Sequence, residues 1–472
     1  MTATPSAFPR KTIFFLFCVL VLSFPVTVNA DAKPLSKAEQ AKVDTAIDRA
    51  VQFLKETQTD EGDWGGKMYK DGRFSAGQCA LPAYALLESG MPANDPLIRK
   101  AAEFLRPRAS TTDFTYEIAL AILFFDRLND PKDKRLIQTL ALRLIAGQHQ
   151  TGGWSYRCPI LFEKNEQELS KALDRLSKQM KGKARTRDRA LQDFAVPAAF
   201  HSLTVFQRAE VLPWREPPAS NAAWDEAVKR VSLAGMTDNS NTQLALLGLW
   251  VAQRQGIAPE PTFAILVERF ERSQGYPSGL WGYAFDKEAG SRSMICVGLM
   301  GLAIGRGLKL PTSGAAVGAE KDVHVLRGLS ALRRHIGQPT GEISKRVPLY
   351  DGYFLWSLER VAMLYNLPTI GEKDWYRWGM ESVVANQAKD GSWTGRSPYP
   401  EWKGNRNYDY KATMSTAFAL LFLKRSHPMK ELTPKLPFTA KELNAGIARL
   451  RPSDKYPLRP ATASSPSRKL DP

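Results

Sequence analysis

An all-α fold, an α/α toroid of about six to seven helical hairpins with inner and outer helix rings, is predicted by three features of the chain. Four segments carry a glutamine, a glycine-containing turn and a tryptophan in that order: Gln58 with Trp64, Gln148 with Trp154, Gln274 with Trp281, and Gln387 with Trp393. An amphipathic, charged helical pattern precedes each turn, and a nearly all-apolar one follows it, over 76–87, 194–206, 294–304 and 413–423. Shorter hairpins without the turn lie between, pairing 96–105 with 114–128, 224–233 with 242–254, and 323–335 with 353–365.

Each element has a local cause. The helix before the turn stops at glycine, which takes the left-handed backbone that other residues avoid. The glutamine amide reaches exposed backbone groups of the turn and the indole folds back over it, so each repeat closes its own open edge. A helix that is apolar all round must be covered on most sides, which places the second helix of each pair inside the ring. Inner helices this apolar favour closure into a ring over the alternative of an open solenoid, and closure gathers the inner-helix N-termini on one face, where helix dipoles and unpaired N–H groups make the natural site.

At the N-terminus, Arg10 and Lys11 precede an apolar run over 12–28 that ends at Val28-Asn29-Ala30. This is the pattern of a cleavable signal peptide. Ser23 and Pro25 interrupt the run, which falls short of the roughly 20 apolar residues a spanning helix needs. Residues 1–30 are therefore expected to leave as a signal, with cleavage near Ala30 and a secreted or periplasmic mature chain. The toroid is expected over 36–430, with a solvated basic insert over 155–190 and a C-terminal extension over 431–472 that is disordered from 452.

The net charge of +17 falls to +15 when Arg10 and Lys11 leave with the signal, and much of the excess sits in 164–189 and after Arg451. Nucleic acid is excluded as a partner of an exported chain, which leaves peripheral contact with an anionic envelope surface. Cys79, Cys158 and Cys296 remain once Cys18 is removed, too few and too far apart for a disulfide framework. Cys79 and Cys296 read as buried thiols within apolar helices, with one bridge among the three left open.

The glutamine-to-tryptophan repeat, the two-helix unit and the apolar inner helices resemble the terpenoid cyclase and protein prenyltransferase superfamily, particularly its squalene–hopene cyclase-like repeats, over roughly 43–425. That resemblance implies the toroid and an apolar or isoprenoid-type ligand. For a squalene–hopene-type cyclase it also implies an Asp-rich motif followed by Thr-Ala at an inner-helix start. The nearest match is Gln192-Asp193-Phe194-Ala195-Val196, which keeps one carboxylate and lacks the partner acid and the threonine. The aspartate cluster that would hold magnesium on a diphosphate is absent too. The prenyltransferase zinc set of Asp, Cys and His has no counterpart, since Cys296 has no Asp two residues before it and His149, His201, His324, His335 and His427 stand elsewhere. No metal and no cofactor are expected.

Asp193 and Asp238 are the candidate catalytic acids, although each also reads as a helix N-cap. Asp238 opens the polar run Asp238-Asn239-Ser240-Asn241-Thr242-Gln243 before an apolar helix, which makes Asn241 a candidate cavity residue. Tyr353, Trp356 and Arg360 share one helical face, Glu359 and Arg360 read as a buried ion pair, and Tyr116 with Glu117 begins another apolar helix. These form the candidate ligand-binding set: aromatic faces stabilise a cation or stack on sugar rings, and paired carboxylates would serve glycoside hydrolysis. The expected function is an exported toroid binding an apolar or isoprenoid-type ligand, or a partner, in its centre. The alternatives are an atypical cyclase, lyase or glycan-active enzyme using inner-helix carboxylates, and a non-catalytic scaffold whose basic insert docks a protein partner.

Overall fold

The computed structural model describes residues 32–64, 74–149, 151–181, 237–285, 290–310, 322–337, 351–393 and 408–450. The predicted signal segment 1–30, Asp193, the predicted helices 194–206 and 224–233, and the tail from 452 lie outside the described residues. In chain order the helices are α1 (Lys37–Glu56), α2 (Ser75–Glu88), α3 (Pro96–Thr111), α4 (Thr115–Leu128), α5 (Lys134–Gly147), α6 (Glu163–Lys181) and α7 (Asn239–Ala252). They continue as α8 (Glu260–Ser273), α9 (Arg292–Gly307), α10 (Val323–Arg333), α11 (Gly352–Leu364), α12 (Trp375–Ala385), α13 (Tyr408–Lys424) and α14 (Ala440–Arg449).

The two helix types separate by burial. The outer helix α1 buries only Val43, Ala46, Ala50 and Leu54, a stripe at three- and four-residue spacing. In α7 every residue is buried, and in α9 every residue from Ser293 onward. The inner helices form a closed ring, α2 on α4, α4 on α7, α7 on α9, α9 on α11, α11 on α13, and α13 back on α2. Outer helices cover it: α3 packs on α2, α5 on α4 and α7, α8 and α10 on α9, α12 on α11, and α1 on α13. The molecule is an α/α toroid.

The glutamine-to-tryptophan turns are its seams. In each, the glutamine Nε2 donates to the carbonyl of the turn glycine: Gln58 to Gly62 at 3.0 Å, Gln148 to Gly152 at 3.1 Å, Gln274 to Gly279 at 3.4 Å and Gln387 to Gly391 at 3.0 Å. The same nitrogen donates to a carbonyl of a neighbouring outer helix, at its start in Leu97 of α3, Thr262 of α8 and His324 of α10, and at its middle in Ala46 of α1. The indole N–H turns back to its own outer helix, from Trp64 to the Leu54 carbonyl, Trp154 to Leu144, Trp281 to Phe270 and Trp393 to Val383. The four turn glycines all have positive φ, and a Cβ on any of them would run into a carbonyl of the neighbouring helix, Lys100, Ile265, Arg327 or Arg49. Only glycine permits both the backbone and the approach. The last turn clasps α1, where Arg49 also donates to the Ala388 and Lys389 carbonyls, so the chain's two ends close the ring.

The structure revises the predicted order at one place. The ring position after α4 is filled by α7, whose Thr242 hydroxyl accepts from the Trp154 N–H and whose Asp238 N–H donates to the Trp154 carbonyl. The turn after α5 therefore adjoins 239–252, while the predicted helix 194–206 lies outside the described residues, and six inner helices close the ring among the described residues. That placement was not legible because sequence order was taken for spatial order across a long insertion. That insertion also contributes to the packed fold: α6 lies on α5 and α8, buries Leu169 and Leu173 one turn apart, and receives Arg135 on Glu166 at 2.6 Å. Within the expected C-terminal extension, α14 packs on α10, and its buried Asn444 accepts from the Gly371 N–H at 2.8 Å. Cys79, Cys158 and Cys296 are free and buried. No helix among the described residues is long and apolar enough to cross a membrane.

Candidate ligand cavity

A cavity of about 620 Å³ lies at the N-terminal ends of the inner helices, and all six contribute to its wall. The volume is typical of a small-molecule site. Leu81 of α2, Leu120 of α4, Leu244 of α7, Met294 of α9 and Phe418 of α13 make it apolar, and Phe74, tilted against Phe114 with ring centroids 4.5 Å apart, closes one side. These positions face inward, Leu81, Leu120, Leu244 and Met294 from the first two turns of their helices and Phe418 from the middle of α13, while other faces of these helices pack on ring neighbours.

The polar part of the wall is arranged around α7. Asp238 caps that helix: its carboxylate accepts from the Asn241 N–H at 2.7 Å, the Asn241 side-chain amide at 2.6 Å and the Ser240 hydroxyl at 2.6 Å. The Tyr116 hydroxyl of α4 bonds to Ser240, whose oxygen also lies 3.2 Å from the Tyr283 hydroxyl; Tyr283 in turn lies 3.0 Å from the Tyr156 hydroxyl at the exposed rim. One turn further along α7, Gln243 accepts from the Tyr353 hydroxyl of α11 and donates to Ser357 at 2.9 Å. Burial, reinforced by the Asp238 charge, pushes the Tyr116 and Tyr353 hydroxyls well above the ordinary tyrosine range, and Tyr116 adds to the rise at Tyr353.

Glu117 is the only carboxylate among the described residues lining the cavity. Its side chain accepts from the Gly77 N–H of α2 at 2.9 Å and from the Thr112 hydroxyl. Burial raises the carboxyl above the ordinary range, against the lowering effect of those two bonds. Gln78 and Ser293 also line the cavity, and among the described residues neither side chain makes a hydrogen bond.

Of the residues singled out in the sequence, Tyr116, Glu117 and Tyr353 lie in this wall. Asp238 and Asn241 sit behind it, shielded by Ser240. Trp356 packs beside the wall against Tyr353 and Phe418, with ring centroids 6.1 and 5.2 Å away. Glu359 and Arg360 lie deeper along α11, fully buried and paired at 3.0 Å, with the guanidinium stacked on Trp356 at 3.7 Å. Sequence reasoning missed Gln78, Tyr283 and Ser293. Gln78 and Ser293 are polar residues in the first turn of otherwise apolar helices, a signal that was present; Tyr283 lies just past Trp281 and carries no local mark. Among the described residues, no group of three or more His, Cys, Asp or Glu side chains converges as metal ligands would.

No protein-family model and no curated protein matches the chain. Among solved structures it is similar to the type II terpene cyclase MstE from Scytonema. An alanine variant of that enzyme in complex with merosterolic acid A is 13% identical with a TM-score of 0.44, covering 85% of this chain and 100% of that one. The apo enzyme is 12% identical with a TM-score of 0.41, covering 84% of this chain and 100% of that one. The architecture described above rests on the ring of inner helices and not on this likeness.

Proposed function

We propose that this chain is an exported, terpene-cyclase-like toroid that binds one apolar, isoprenoid-type ligand in its central cavity. The observation that carries the reading is the cavity itself, lined by all six inner helices, walled largely by Leu, Met and Phe side chains, with polar groups around α7 and at Gln78, Glu117, Ser291 and Ser293. Each ligand methylene transferred from water into such a wall contributes about 0.8 kcal/mol. The neutral dye Nile red should bind with a blue-shifted emission and be displaced by squalene or an isoprenoid alcohol. Leu244→Trp, which adds bulk to the cavity wall, should weaken binding at least tenfold while leaving the melting curve near that of the parent. Wild-type protein that leaves the dye spectrum unchanged would remove the reading.

A second reading, proton transfer to a bound polyene, is favoured by Glu117, a buried carboxyl in an apolar wall with its proton affinity raised. Turnover would then be greatest where Glu117 is protonated and fall as pH rises through its elevated pKa, because only the acid form donates. Glu117→Gln is expected to lower any such rate by about 10²-fold or more while Nile red still binds. A variant with unaltered turnover would sink this second reading and leave the first intact.

A further inference from the structure

We propose that the cavity selects a ligand by a single hydroxyl group, taking a neutral alcohol on an otherwise apolar skeleton and rejecting phosphate head groups. This rests on the ligand-binding reading above and adds to it the chemistry of the ligand's polar end.

The argument is a count of protons. The Asp238 carboxylate has only acceptors to offer, and two of its three bonds come from Asn241 nitrogens, which can only donate. Ser240, 2.6 Å from the same carboxylate, spends its one proton there. The Tyr116 hydroxyl bonded to the Ser240 oxygen must therefore donate. An independent chain fixes the other phenol. Ser357 gives its proton to the Tyr353 carbonyl at 2.7 Å, so the Gln243 amide directs its nitrogen at Ser357 and its oxygen at the Tyr353 hydroxyl. Both Tyr116 and Tyr353 have thus committed their protons to α7. The partners they meet, Ser240 and Gln243, are one helical turn apart, and both rings line the cavity. What the two phenols hold for a ligand is lone pairs, and a group that satisfies them must bring a proton.

Charge then decides between proton-bearing and anionic heads. Converging helix N-termini favour anions, each end carrying roughly half a positive charge. Here the chain's own carboxylates occupy three of the six: Glu117 takes the Gly77 N–H of α2, Asp238 the Asn241 N–H of α7, and Asp351 the Phe354 N–H of α11 at 3.0 Å, while the Ser291 hydroxyl caps α9. Among the described residues lining the cavity there is no Lys, Arg or His, and there is Glu117. A phosphate would be stripped of water with no counter-charge. A sugar would leave most of its hydroxyls unpaired against Leu81, Leu120, Leu244 and Phe418. One hydroxyl on an apolar body supplies the proton the two phenols lack, and leaves the rest of the ligand against the Leu, Met and Phe side chains of the wall.

Competition against Nile red on the full protein tests this with three probes of shared skeleton type: geranylgeraniol, geranylgeranyl diphosphate below its micelle concentration, and squalene. Geranylgeraniol is expected to compete at least tenfold better than either of the others. Tyr116→Phe combined with Tyr353→Phe should remove that advantage while squalene competes as before, which also reports that the cavity is intact. Diphosphate competing as well as the alcohol, alcohol no better than squalene, or an alcohol preference that survives the double substitution would each overturn the proposal while leaving the cavity reading in place. Failure of all three probes to displace the dye would bring down the cavity reading and the proposal with it.

Discussion

Trp393→Ala is expected to destabilise the protein by about 3–5 kcal/mol, the range for deleting a buried tryptophan. The indole is fully buried, donates to the Val383 carbonyl at 2.7 Å, and its backbone N–H donates to the Thr416 hydroxyl at 3.1 Å. Truncation removes the packing between α12 and α13 at the seam that holds α1, so the loss falls where the two ends of the chain meet. Gln387→Ala at the same seam should cost less, about 1–3 kcal/mol, because it removes no large volume and leaves the Ala46 and Gly391 carbonyls without their donor. Urea midpoints at unchanged slope measure both. A tryptophan variant within about 1 kcal/mol of the parent, well below the usual large-to-small range, would show that the clasp does not close the ring.

Arg360→Leu is expected to cost about 1–3 kcal/mol, whereas Glu359→Leu together with Arg360→Leu should lie within about 1 kcal/mol of the parent or above it. The single change leaves a polar carboxyl in a fully buried site and strips the guanidinium from the face of Trp356; the double change replaces both with apolar volume. The pair also sets a pH dependence. Burial raises the Glu359 carboxyl from its ordinary 4.5 to about 8, the neighbouring Arg360 opposing the rise. As pH climbs above the ordinary value the unfolded chain sheds this proton while the folded chain keeps it, so the unfolded state binds fewer protons and folding stability declines. The decline runs from about 4.5 to about 8 and then levels, since the folded carboxyl has ionised too. Glu359→Gln should flatten that segment of a stability-against-pH curve; an unchanged slope would assign it to other groups.

How much was legible differs from residue to residue. The turns were readable because their chemistry is local: a helix stop, a glycine and a returning indole lie within a few residues of one another. Their second function was not readable, because the glutamine amide meets a carbonyl as far away as Ala46 from Gln387. Tyr116, Glu117 and Tyr353 stood out as polar or aromatic residues at the start of apolar helices, and that is where the cavity lies. Trp356, Glu359 and Arg360 share the helix face but not the depth, since each turn of helix carries a side chain about 5.4 Å along the axis and past the cavity floor.

By itself the sequence determined that the chain is helical, that its helices alternate between amphipathic and apolar, and that its hairpins end in self-closing turns. Hydrophobic periodicity and turn chemistry are local, and local order specifies them. Only the tertiary structure decided that α7 follows α4 around the ring, that the last turn grips the first helix, and that Ser240 stands between Asp238 and the cavity. Those outcomes depend on which surfaces meet, and ring closure brings together residues more than three hundred positions apart, a distance over which no sequence period carries information.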